Sequence, residues 1–148
     1  MIQRVQTLWM ILAAIAAFLS IKFSFYSGTL LLQNTADSMT NLATDGSYHV
    51  LTATDNFFIL ILTSALGTGI TINIFLFKHR SIQIRIIIAA IITECLIVFL
   101  YIRETNKYSQ GNFNIWAILH ILIILFLIFA AKGIYHDSKL IKESNRLR

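Results

Sequence analysis

Four long apolar runs, separated by polar stretches, make up most of this chain. The third shows the pattern most plainly. From Arg85 to Arg103 it reads Arg-Ile-Ile-Ile-Ala-Ala-Ile-Ile-Thr-Glu-Cys-Leu-Ile-Val-Phe-Leu-Tyr-Ile-Arg. At helical rise its two arginines stand roughly 27 Å apart. A bilayer core is about 30 Å thick. The pattern predicts a membrane-crossing helix with an arginine at each head-group layer and one carboxyl, Glu94, midway.

Read in the same way, the spans fall at 7–26, 56–77, 85–102 and 113–132. The predicted fold is an all-α membrane protein, an up-down four-helix transmembrane bundle forming a single domain over 1–148. The first run is long enough to span, so it reads as an uncleaved signal anchor. Ala13, Ala17, Ala16, Ser20 and Ser24 give it a stripe of small residues that admits a close helix neighbour. Asp55-Asn56 supplies capping side chains for the second run. Gly67 and Gly69 at its centre read as packing positions, and Asn73 as a polar contact to another helix.

The connections differ in character. Residues 27–55 form an acidic loop with Asp37, Asp45 and Asp55 and no Lys or Arg. Thr29 to Leu32 and Tyr48 to Thr52 fit short strands, with Asp45-Gly46 as the turn signal of a small hairpin. The stretch Ala36 to Ala43 fits a loop or a helical turn. Lys78 to Arg85 is a short basic link that makes spans two and three an antiparallel hairpin. Residues 104–112 are polar and read as a loop. The tail 133–148 is polar and basic, with a weak apolar edge of Tyr135, Leu140, Ile141 and Leu147 that fits a juxtamembrane helix.

Charge then sets the expected orientation. One side holds Arg4, Lys78, Arg80, Arg85, Lys132, Lys139, Lys142, Arg146 and Arg148. The other holds Arg103 and Lys107, with Lys22 if it snorkels. By the positive-inside rule both termini are cytoplasmic. Trp9 falls near the inner boundary, and Trp116, Tyr26 and Tyr101 near the outer one.

Composition narrows the function classes. Of 148 residues, 57% are hydrophobic and only 13% charged, about half the charged share of a soluble domain. The net charge of +5 is carried beside the spans, which argues for lipid and against nucleic acid. Cys95 is the one cysteine, so no internal disulfide or Cys-x-x-Cys centre is possible. No metal-ligand spacing, cofactor motif or nucleophile triad is evident, and one intramembrane His cannot give two haem ligands. No enzyme, no cofactor and no catalytic residue are expected.

Two groups of residues remain as candidates. A carboxyl at the bilayer centre costs roughly 3 kcal/mol on insertion scales, so Glu94 should face the bundle. Ala90 clears space beside it and Thr93 offers a hydroxyl. His120 lies about 4.5 Å outward of the midplane of the fourth span by helix rise. Spans three and four are neighbours through a short loop, so Glu94 and His120 form an expected intramembrane polar pair. It reads first as a contact that fixes helix register, and otherwise as a partner contact or a proton site. The second group is a cytoplasmic face of Arg4, Arg80, Gln83, Arg85, Arg146 and Arg148. It fits anionic lipid head groups, at roughly 1 kcal/mol per basic residue, or a docked partner.

Three stretches carry a resemblance. They are Met1 to Thr7, the link Phe77-Lys78-His79-Arg80-Ser81-Ile82-Gln83-Ile84-Arg85, and the tail from Lys132 to Ile141 closing in Asn145-Arg146-Leu147-Arg148. Together they resemble a bacterial family of small four-span inner-membrane proteins classed as a domain of unknown function. The resemblance implies a multi-pass protein with both termini inside, and it implies no activity. The expected role is a non-enzymatic accessory or assembly subunit of a larger membrane complex, with a membrane-protein partner or a homo-oligomer. The alternative is a small proton-linked transporter or channel subunit using Glu94 and His120.

Overall fold

The protein is described by a computed structural model covering residues 3–32, 43–76 and 79–146. Helix α1 spans Gln3–Lys22, α2 Phe57–Phe75, α3 Arg80–Thr105 and α4 Ile118–Arg146. Strands β1 (Tyr26–Leu32) and β2 (Ala43–Leu51) join α1 to α2, and β3 (Tyr108–Phe113) joins α3 to α4. Short 3-10 turns at Ala53–Asp55 and Ile115–Ala117 lead into α2 and α4.

All four helices are long and apolar enough to cross a membrane, over Val5–Lys22, Phe57–Phe75, Arg80–Thr105 and Ile115–Lys139. Their outward faces carry large apolar side chains, among them Phe58, Ile61, Ile92, Ile121 and Phe129. In water such a surface would aggregate; against hydrocarbon it is matched. The helices form an up-down bundle in which α1 packs on α4 and α2, α2 on α3, and α3 on α4. The core is apolar, with Met10, Ile59, Ile70, Ile87, Ile97 and Ile123 fully buried.

Small residues set the closest approaches. Ala13, Ala16, Ala17 and Ser20 are buried on α1. A Cβ at Gly133 of α4 would come within 2.7 Å of Gln6 on α1. One at Gly67 of α2 would meet the Phe18 ring at 3.0 Å. Gly69, paired with Gly67 in the sequence reading, would meet nothing within 4 Å and is not a packing position. Ser24 lies beyond the end of α1, where its hydroxyl accepts from the Asn114 side-chain amide.

Several boundaries differ from the sequence reading. Helix α1 ends at Lys22, and Tyr26 opens a strand rather than closing a span. Helix α3 begins at Arg80, because nothing in Ser81 to Arg85 breaks a helix and Gln83 finds a buried partner there. Helix α4 continues through the tail to Arg146. Asn56 caps α2 as expected, accepting the Phe58 N–H at 3.0 Å. Asp55 caps the preceding turn instead, accepting the Thr52 N–H at 2.6 Å.

The sheet is the larger difference. It is antiparallel, in the order β2-β1-β3, so β3 from the stretch read as a loop at 104–112 completes it. Gly28 stands opposite both His49 and Gly111. Gly111 is obligatory there, since a Cβ would strike the Ser27 carbonyl and the Tyr26 ring. Asp45-Gly46 lies within β2 and is not the turn. The stretch proposed as a helical turn, apart from Ala43, lies outside the described residues. The sheet ties the two helical hairpins together at the end opposite the α2–α3 link.

Candidate functional site

The inward seam of α3 is Gln83, Ile87, Glu94, Ile97 and Tyr101. That of α4 is His120, Ile123, Leu127, Ala130 and Ile134. Three- and four-residue spacing keeps each set on one face. Glu94 on the α3 seam and His120 on the α4 seam lie among apolar neighbours, and the two meet. His120 Nδ1 lies 2.7 Å from Glu94 Oε1. Glu94 is 0% exposed and His120 3%. The contact is a hydrogen bond whichever of the two carries the proton. Glu94 Oε2 has no hydrogen-bond partner among the described residues.

Aromatic rings close the site on its sheet side. Tyr101 lies seven residues beyond Glu94 on the same face and is fully buried. Its ring stacks on Phe25 at 4.5 Å and meets His120 edge-on at 5.2 Å. Phe25 meets the imidazole at 5.5 Å. Backbone hydrogen bonds hold Phe25 on both sides, its N–H to the Leu51 carbonyl at 2.9 Å and its carbonyl from the Asn114 N–H at 3.0 Å. Tyr101 is therefore not an interfacial anchor; it is part of the core beside the pair. Thr93 does not join the pair either, as its hydroxyl donates to the Ala89 carbonyl of its own helix at 2.9 Å.

A second polar contact lies nearer the α2–α3 link. Asn73 Nδ2 donates to the Gln83 carbonyl at 3.3 Å, and Gln83 Nε2 donates back to the Asn73 carbonyl at 3.2 Å. Both amides also reach the Met10 sulfur at 3.7 Å. Gln83 is 4% exposed. It belongs to the bundle interior and not to the basic face proposed from sequence, because helix α3 starts early enough to turn it inward.

The rest of that face is only partly described. Arg80 lies 3.5 Å from Asp137 of α4. Arg85 folds back on its own helix, its Nε donating to the Ser81 carbonyl at 3.3 Å. The side chains of Arg4 and Arg146, and the whole of Arg148, lie outside the described residues.

At the sheet end, Glu104 accepts from the Asn56 amide at 2.9 Å and pairs with Lys107 at 2.5 Å. Burial first, then the Asp55 and Glu104 carboxylates, hold the Tyr108 phenol above its ordinary value. Sequence reasoning missed Phe25 and Tyr101 as neighbours of the pair. The spacing of Tyr101 from Glu94 was a usable signal; Phe25 had none, since only the sheet brings it there.

Four apolar helices around a buried carboxyl–imidazole contact define a small multi-span membrane protein. The family model described as a domain of unknown function, DUF4293, matches residues 2–147, and the chain belongs to that family. No curated protein and no solved structure matches it.

Proposed function

We propose that the protein is a non-enzymatic accessory or assembly subunit of a larger complex in the bacterial inner membrane, with both termini cytoplasmic. The observation that carries this reading is how the buried polar groups are used. Glu94 joins α3 to α4, and Asn73 with Gln83 joins α2 to α3. These contacts hold helices in register, which suits a rigid scaffold. The large exposed apolar faces then meet lipid or a partner's helices. Arg80 and Arg85, at the start of α3, lie at the end that this reading sets among anionic head groups on the cytoplasmic side, and the sequence adds Arg4, Arg146 and Arg148 to the basic residues of that side.

Purification of the tagged protein in a mild detergent, with native mass determination, tests this. A stoichiometric membrane-protein partner is expected, lost on truncation at Asp137. A lone monomer or homo-oligomer would move the weight to a second reading, a proton-linked transporter or channel subunit. One observation favours that alternative: Glu94 presents Oε2 at a buried site with no hydrogen-bond partner among the described residues. Under it, Glu94→Gln abolishes pH-dependent flux in proteoliposomes while assembly persists. Under the subunit reading, Glu94→Gln changes complex yield at most.

A further inference from the structure

A cavity of about 630 Å³ lies between α3 and α4, beside the Glu94–His120 pair. Small-molecule sites span roughly 300–1,000 Å³ and combine apolar walls with a few placed polar groups. This one has Phe25 and Phe113 at its sheet end, Val98, Ile121 and Ile124 along its length, and His120 in its wall. Ile118 and Ile121, on the spanning part of α4, are largely exposed, so the cavity has an open apolar side that faces hydrocarbon. An occupant enters from the bilayer and is lipid-soluble.

His120 sets the chemistry. Its Nδ1 is taken by Glu94, and its Nε2 has no hydrogen-bond partner among the described residues. The imidazole is nine-tenths buried or more. A saturated acyl chain would leave that nitrogen unpaired in hydrocarbon, which is costly. A head group with a carbonyl or hydroxyl at this depth satisfies it. If Glu94 donates to Nδ1, or imidazolium faces carboxylate, Nε2 carries a proton and suits a carbonyl. If Nδ1–H donates to the carboxylate, Nε2 is a lone pair and suits a hydroxyl. The two aromatic rings at the sheet end favour a flat head group over a tetrahedral one.

We infer that this cavity binds a membrane quinone or its quinol, with the ring against Phe25 and Phe113, an oxygen hydrogen-bonded to His120, and the isoprenoid tail along Val98, Ile121 and Ile124. The inference concerns binding and includes no electron transfer. It stands independently of whether the protein has a protein partner.

Trp116 lies between the cavity residues Ile115 and Ala117, which makes it a reporter. In a Trp9→Phe background it is the single tryptophan. The test is its quenching by decylubiquinone, a fully substituted benzoquinone, in the intact purified protein. Saturable quenching is expected, weakened tenfold or more by His120→Phe and also weakened by Val98→Phe, which narrows the cavity at its wall. The quinone should also protect Cys95, which lines the cavity, from a lipophilic maleimide. Should His120→Phe fail to fold, Val98→Phe and Cys95 protection still decide the matter. Quenching that rises only with the quinone-to-detergent ratio, unchanged by Val98→Phe, overturns the inference. So does equal displacement by a short-chain phosphatidylglycerol, which would make the cavity an acyl-chain seat.

Discussion

At the scale of single residues, the strongest constraint in the bundle is the Glu94–His120 contact. Removing one partner of a buried pair leaves the other uncompensated, at roughly 3–5 kcal/mol. Glu94→Ala should therefore lower stability by about 3 kcal/mol or more, read as a lower thermal midpoint in detergent. Glu94→Gln keeps a hydrogen-bonding group at the same place and should lose markedly less. The Asn73–Gln83 exchange is a weaker contact, since interhelical hydrogen bonds in membranes average about 0.6 kcal/mol. Gln83→Met is expected to cost about 1 kcal/mol or less in the same assay, although the side chain is as buried as His120. A large loss would mean that the Met10 cluster depends on Gln83 as well. The existence of a Glu94–His120 contact was legible from helix rise alone. The inward turn of Gln83 was not, because it depended on where α3 begins.

Elements meet where side chains are missing. Gly133 lets α4 approach Gln6 on α1, and Gly67 admits the Phe18 ring to α2. Overpacking at such positions costs typically 1–3 kcal/mol. Gly133→Leu is expected to fall in that range and Gly69→Ala to be near neutral, by thermal unfolding of the two variants side by side. At the sheet, Tyr108 links stability to pH. Its folded value is raised, so its contribution is fully present below the unfolded tyrosine pKa of about 10 and is lost as pH rises through the folded value. Amide exchange in β3, corrected for intrinsic base catalysis, should quicken above that pH, and Tyr108→Phe should remove the dependence. Unchanged behaviour in Tyr108→Phe would place the alkaline sensitivity elsewhere. The helices themselves were visible as apolar runs. Strand β3 was not, because Tyr-Ser-Gln-Gly-Asn-Phe has no strand signature of its own and is ordered by pairing with β1.

For the whole molecule, the consequential question is which way the bundle sits. The proposed orientation, argued from the charge asymmetry, has the sheet end outside and the α2–α3 link inside. Single-cysteine variants on Cys95→Ser test this directly in intact cells. A membrane-impermeant maleimide should label Asn106→Cys, at the end of α3, and spare Ser138→Cys until the membrane is opened. The reverse labelling would invert the assignment and with it the proposed cytoplasmic face of Arg80 and Arg85.

The sequence by itself determined that there are four apolar helices, that consecutive ones run antiparallel, and that Glu94 must turn inward. Each follows from a local rule: run length against bilayer thickness, link length, and the cost of a carboxyl in hydrocarbon. Tertiary structure alone decided that three strands close one end, that Phe25 and Tyr101 stack against His120, and that Gln83 leaves the surface for Asn73 and Met10. Those outcomes rest on contacts between segments far apart in the chain. An apolar helix is hydrophobic on every side, so its periodicity does not say which face meets a neighbour and which meets lipid. Packing of small residues and the few polar contacts make that choice.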